Sequence, residues 1–234
     1  IIVCSQTARL VHLQAGYSSD RMIFIPNGFD LSEFKPNLQA KSAIRSELEI
    51  DDSSLVAGMA ARFDPQKDHA TFFIAVEELL EKFPNLHIIL CGDEMSQENA
   101  DLMKLVSPLG AQNRFHLLGR RSDMPDILAS WDVAVLSSSY GEAFPLVIGE
   151  AMACEVPCVG TDVGDTADLI GATGVVVPAR QPHLLADAVG NILSMSVGDR
   201  KNLGLAARRQ VQLKYEIGSV AERYQKIWSE VAAL

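Results

Sequence analysis

"DVAVLSSSYGEAFPLVIGEAMACEVPCVGT", residues 132–161, reads as strand, loop, helix and strand. "DVAVLSS" is short and apolar without alternation, the pattern of a strand covered on both faces. "PLVIGEAMACE" carries Leu, Ala and Met, which suit a helix. "VPCVGT" is again short and apolar. A strand followed by a helix and a second strand makes two parallel neighbours.

The same alternation runs outward in both directions. Upstream come the strand "SLVAGMAAR" (54–62) and the helix "KDHATFFIAVEELLEKFP" (67–84). That helix puts Phe72, Ala75, Val76, Leu79 and Leu80 on one face and ends before Pro84. The strand "NLHIILCG" (85–92), the helix "SQENADLMKLVSPLG", the strand "RFHLLG" (114–119) and the short helix "SDMPDILASW" follow. Downstream lie the short helix "GDTADLI", the strand "TGVVVP", the helix "PHLLADAVGNILSM" and only helix from Gly198 to Leu234, in two segments meeting near Tyr215–Gly218. About six such strands between 54 and 177 predict an α/β fold, a Rossmann-like doubly wound parallel sheet, with C-terminal helices. Earlier, "RMIFIP" (21–26) reads as a strand and "AKSAIRSELEI" as a helix.

The chain has 234 residues, 48% of them hydrophobic, enough for a substantial core. Its formal net charge of −10 argues against nucleic acid as a main partner. No run has the length of a membrane span. The N-terminus lacks a basic leader and opens in mid-strand without Met, which suggests a fragment. Of the four cysteines, Cys154 and Cys158 form C-x3-C without a histidine at zinc spacing, so reduced thiols in a cytosolic core are expected.

In a doubly wound sheet, ligands sit at the carboxyl ends of the strands. There is no G-x-G-x-x-G and no G-x-x-x-x-G-K-[ST], which weakens dinucleotide and P-loop readings. Three loops instead carry polar groups. In "RFDPQKD", Arg62 and Lys67 stand at a strand end and a helix start, where two cations can hold a diphosphate. The alternative is that both are ordinary surface ends. In "YGEAFPLVIGE", Pro145 suits the first helical position, which turns the N–H groups of Leu146 and Val147 toward an anion. Glu142 and Glu150 would be repelled by phosphate, yet both suit sugar hydroxyls. Taken singly, they read as a helix-start charge and a solvated helix position. In "TDVGDTADLI", Asp162 and Asp165 either cap a short helix or line the site.

"IPNGFD", "AARFDPQKD", "FHLLGRRSDMPDILASWDVAVLSSSYGEAFPLVIGEAMACEVPCVGTDVGD" and "GVVVP" together resemble the C-terminal half of the group 1 (family four) retaining glycosyltransferases, which have the two-domain GT-B fold. The resemblance covers about residues 21 to 230. It implies a nucleoside diphosphate sugar donor held by this chain. By position, Arg62 and Lys67 would hold the diphosphate, Glu142 the transferred sugar and Glu150 the ribose. Main chain at Ala143, Phe144, Pro145, Leu146 and Val147 would cradle phosphate or sugar, and the loop Gly119, Arg120 and Arg121 would meet the base. With no Asp-x-Asp at a strand end, neither a metal nor another cofactor is expected. Three departures stand out: Ala61-Arg62 for Gly-Arg, "EAFP" for E-G-F-G, and Gly164-Asp165 for Gly-Gly. Pro145 removes one N–H donor, and Asp165 is expected to bear on sugar preference.

The resemblance further implies that residues 1–20 are a remnant of an N-terminal acceptor domain. Residues 21–197 would be the nucleotide-sugar domain, and 198–234 helices packing back toward the missing part. The full-length protein would be a cytoplasmic enzyme, with peripheral association at the inner face of the membrane left open. It would transfer a sugar with retention to a saccharide or lipid-linked acceptor, in polysaccharide, lipopolysaccharide or glycolipid synthesis. The fragment alone would bind donor without turnover. The rivals are a nucleotide-sugar epimerase of the same fold, which needs no acceptor, and a non-catalytic nucleotide-sugar-binding module.

Overall fold

In the computed structural model, which describes residues 1–233, the chain opens with β1 (Ile2–Val3), α1 (Gln6–Gln14) and β2 (Ile23–Phe24). The doubly wound part follows: α2 (Leu38–Glu47), β3 (Leu55–Ala60), α3 (His69–Lys82), β4 (Leu86–Cys91), α4 (Ala100–Val106), β5 (Phe115–Leu117), α5 (Met124–Ala129), β6 (Val133–Leu136), α6 (Leu146–Ala153), β7 (Cys158–Thr161), α7 (Thr166–Ile170), β8 (Val175–Val177) and α8 (Pro182–Leu193). Two long helices end it, α9 (Val197–Lys214) and α10 (Ile217–Ala232).

The six main strands are all parallel, in the order β5-β4-β3-β6-β7-β8. The chain builds outward from β3 to one edge, then crosses back to β6 and builds to the other. The loops after β3 and β6 therefore diverge and leave a crevice between them. Alternate side chains serve opposite faces, as a period of two demands. Ala57, Met59, Ile88, Leu90, Val133 and Val135 join one core with α3, α4 and α8. Val56, Ile89, Cys91, Ala134 and Leu136 join the other with α2, α5, α6 and α9. The two layers are why these strands show no polar alternation in sequence.

Local chemistry sets the boundaries. Asn37, Asp68, Asn99 and Ser196 each accept a backbone N–H in the first turn of the helix they precede. Gly58 of β3 lies under the Trp131 ring, where a Cβ would come within 2.0 Å of the indole. At the amino ends of the strands, Arg45 is 2% exposed and pairs with Asp132 at 2.8 Å. Asp132 also accepts the Val56 N–H, and Arg45 donates to the Ser54 carbonyl. That buried pair joins α2 to β3 and to the start of β6, opposite the crevice.

Residues 21–26 form a strand only at Ile23–Phe24, and it pairs with β1 in a separate two-stranded sheet. The turn that follows is tied to the α9–α10 junction, where Phe29 N–H donates to the Tyr215 carbonyl and Ile217 N–H to the Phe29 carbonyl. α9 packs onto the doubly wound part through buried Gly204, Ala207 and Val211. Its Arg208 donates to the carbonyls of Leu31, Phe34 and Ala153. α10 buries only Val220 and leaves Trp228 and Val231 more than half exposed. No helix among the described residues is long and apolar enough to cross a membrane.

Candidate functional site

At the carboxyl ends of β3 and β4, facing the start of α6, lies a cavity of about 450 Å³. Arg62, Arg120, Arg121, Leu146, Val147 and Glu150 all line it. Half of the candidate residues thus meet in one place, from three separate loops. Lys67, Gly119, Glu142, Ala143, Phe144 and Pro145 are not among its lining residues.

The start of α6 supplies donors. Pro145 is the N-cap, with φ −74° and ψ 99°, and is not the first helical residue as expected. Its carbonyl accepts the Ile148 N–H at 3.2 Å. The N–H groups of Leu146 and Val147 have no partner among the described residues and sit at the positive end of the helix. Phe144 precedes this N-cap. Its ring is buried, stacked on Phe29 at 6.0 Å and edge-on to Tyr215 at 5.5 Å.

Glu150, one turn further into α6, is half-buried and its carboxylate has no hydrogen-bond donor among the described residues. Burial, and then Glu33, push its pKa above the usual carboxylate range. An unpartnered carboxylate in a cavity is costly to the free protein and ready to accept from a ligand. Replacing it with Gln should therefore stabilise the ligand-free chain by about 1 kcal/mol at pH 7, measured by urea titration, as relief of a strained functional group does. A loss of stability would mean that Glu150 has a structural partner.

The cations are arranged differently from the expected pair. Arg62 is 57% exposed and binds Asp64 at 3.1 Å and Gln66 Oε1 at 3.2 Å. The Gln66 N–H and then Arg62 hold the Asp64 carboxyl below its ordinary value. Lys67 turns away to Glu142, forming an ion pair with side-chain exposures of 16% and 8%. Ser138 Oγ donates to the same Glu142 oxygen at 2.6 Å. The two cations thus serve different carboxylates, and the pair Arg62–Lys67 is not assembled as one clamp in the free chain. Ser138 escaped the sequence reading; a hydroxyl four residues before a loop glutamate was the available signal.

In the third loop, Arg120 is exposed and forks onto Asp93 at 3.0 and 3.1 Å. Arg121 is held by both Asp123 and Glu47, which raise its pKa further. Gly119 adopts φ +60° and its carbonyl accepts the Gly92 N–H at 2.8 Å. Asp165 neither caps α7 with its side chain nor faces the cavity. Its carboxylate is spent on the N–H groups of Gln6 and Thr7. Asp162 is exposed. No cluster of three or more metal-ligating side chains occurs among the described residues.

A doubly wound parallel sheet with this crevice makes the chain an α/β domain of the Rossmann-like, GT-B type. Residues 40–210 match the family described as Glycosyl transferases group 1, and the chain belongs to that family. It is 30% identical over 215 residues to D-inositol 3-phosphate glycosyltransferase of Nocardia farcinica, covering 88% of this chain and 46% of the relative. It is 30% identical over 148 residues to an Escherichia coli UDP-Gal:alpha-D-GlcNAc-diphosphoundecaprenol alpha-1,3-galactosyltransferase, covering 62% and 38%. The chain spans less than half the length of both relatives. Among solved structures, Anabaena Alr3699/HepE in complex with UDP and glucose superposes with a TM-score of 0.88 at 25% identity, covering 97% of this chain and 62% of that one. A glycosyltransferase from Rickettsia africae shares the fold with a TM-score of 0.91 at 19% identity, covering 99% and 63%.

Proposed function

We propose that this chain is the donor-binding part of a retaining glycosyltransferase that moves a sugar from a nucleoside diphosphate sugar to an acceptor hydroxyl. The observation that carries the reading is the juxtaposition in one cavity of Arg62, the free N–H groups of Leu146 and Val147, and the unpaired Glu150. The first three suit a diphosphate and the last a ribose diol. Lys67 and Glu142, paired with each other outside the lining of that cavity, would act at the bond that breaks. As the anomeric C–O bond opens, negative charge gathers on the departing diphosphate. Arg62, the start of α6 and Lys67 would hold that charge; each fixed group of this kind contributes a few kcal/mol in a dry site. Glu142, paired to Lys67 and Ser138, suits a positioning role toward the transferred sugar better than that of a nucleophile. No metal is assigned a role. The acceptor, a saccharide or lipid-linked hydroxyl compound of polysaccharide or glycolipid synthesis, would be held outside these residues. The chain alone would bind donor without turnover.

Calorimetry with nucleoside mono- and diphosphates tests this, UDP first, since the Anabaena relative binds it. Diphosphate should bind with micromolar to millimolar affinity, roughly tenfold tighter than monophosphate, and more weakly in added salt. Equal affinity for the two would remove the diphosphate assignment. Ribonucleotides should bind better than 2′-deoxy analogues, a gap that Glu150→Gln narrows.

Arg62→Ala should cost about 1–3 kcal/mol of diphosphate affinity, the usual loss for a charge-assisted contact. Because Arg62 is 57% exposed, ligand-free stability should stay within about 0.5 kcal/mol of wild type. Equal losses in both measurements would make Arg62 structural.

A further inference from the structure

α1 is poorly anchored by packing, since none of its residues is buried. Its first turn is nevertheless fully satisfied. Gln6 N–H donates to Asp165 Oδ2 at 2.6 Å, Thr7 N–H to Asp165 Oδ1 at 2.9 Å and Ala8 N–H to Ser5 Oγ at 2.8 Å. Two of those three acceptors come from a loop more than 150 residues away in sequence. Asp165 is 4% exposed, so this carboxylate is committed to the end of α1 and shielded from water.

The same residue is fastened on its other side to the loop before α6. Asp165 N–H donates to the Ala143 carbonyl at 3.0 Å. Next to it, Gly164 adopts φ +63° and lies so close to the Glu142 carbonyl that a Cβ there would stand 2.3 Å from the oxygen. The main chain at 164–165 thus touches the main chain at 142–143 directly, while the Asp165 side chain grips α1.

We propose that Asp165 is a positioning residue that couples the loop 142–147 to the N-terminus of α1. A ligand that orders the loop then orders α1 through this one carboxylate, and movement of α1 is felt at Glu142 and at the start of α6. The proposal rests on the donor-site reading for the identity of the ligand, but not for the existence of the link. The element it governs is small: β1 and β2 pair only with each other, and among the described residues Asp165 supplies the hydrogen bonds that join α1 to the doubly wound part.

Amide hydrogen exchange on the 234-residue chain tests it in two arms. Without ligand, Asp165→Asn keeps the size and the N–H bond to Ala143 but removes the charge and one acceptor. Exchange at Gln6 and Thr7 should quicken about tenfold, and exchange of the Asp165 N–H, which is bonded to the Ala143 carbonyl, should quicken with it. Faster exchange at Gln6 and Thr7 alone would make Asp165 a helix cap and nothing more, and would overturn the coupling. Asp165→Gly, which removes both acceptor oxygens, should show the same joint change more strongly. With UDP added, wild type should gain protection both at 142–147 and at Gln6 and Thr7, whereas Asp165→Asn should gain it only at 142–147. Ligand-induced protection reaching Gln6 and Thr7 in the variant would also overturn the proposal. If UDP and other nucleoside diphosphates leave 142–147 of wild type unchanged, the donor-site reading fails, and the ligand-free arm still decides the coupling.

Discussion

Lys67→Ala should lower unfolding stability by about 3 kcal/mol, the cost of leaving a mostly buried charge without its partner. The stranded group is Glu142, whose side chain is 8% exposed and keeps only Ser138 as a donor among the described residues. From sequence alone Lys67 reads as an element-end residue whose loss leaves stability intact. The ion pair reverses that expectation. Glu142→Gln should cost less, about 1 kcal/mol, because a long lysine chain can carry its ammonium to water. The double change Lys67→Met with Glu142→Gln should recover most of the Lys67→Ala loss, since neither partner is then a buried charge. Urea titrations of the four proteins check this; a Lys67→Ala loss under about 0.5 kcal/mol would show that the pair is solvent-relaxed. The pair also changes the expectation for free nucleotide. With Glu142 neutral, Lys67 is released to the diphosphate, so Glu142→Gln should bind UDP about three- to tenfold more tightly. Weaker UDP binding in that variant would put Glu142 on the nucleotide itself.

The doubly wound sheet was legible because its central strands β3, β6 and β7 are covered on both faces and read as apolar runs, while helices such as α3 and α8 keep one apolar face. Those are local patterns, and a short window contains them. That Arg62, Leu146, Val147 and Glu150 come together around one cavity was legible for a related reason: the strand ends and helix starts that carry them can be counted from the same patterns. What escaped the sequence was every partner chosen across the chain. Lys67 meets Glu142 over 75 positions, and Asp165 meets Gln6 over 159. Arg45, an ordinary helix arginine by spacing, is buried because Asp132 and the Ser54 carbonyl wait for it. Spacing says which residues share a face; it does not say which face they will meet. Pro145 was misplaced by one residue because its fixed φ fits both the N-cap and the first helical position, and only ψ separates them. His69 was overlooked although it lies three before Phe72 and seven before Val76, on the buried face of α3.

That histidine should make the fold sensitive to acid. His69 is 3% exposed, its Nε2 has no partner among the described residues, and its ring lies 5.0 Å from that of Phe63. Burial pushes its pKa down from 6.5 to about 4; Asp68 and Asp64 oppose the shift and Lys67 adds to it. His116, on β5, is likewise pushed down to about 4 by burial and by His87, whose Nδ1 lies 3.0 Å from its Nε2. For both, the folded pKa lies below the unfolded one. Their contribution is fully present above about pH 6.5 and drains away as pH falls toward 4, because the unfolded chain takes up the proton first. Glu150, raised instead of lowered, works in the opposite direction. For His69 the loss between pH 7 and 4.5 should be roughly 2 to 3 kcal/mol; for the less buried His116 it should be smaller. Urea midpoints of wild type and His69→Phe at those two pH values isolate the first contribution, since every other titrating group is common to both proteins. The variant should lose roughly 2 to 3 kcal/mol less than wild type on acidification. Parallel losses in the two proteins would mean that water reaches the His69 ring, and that a charged imidazolium is tolerated at the start of α3.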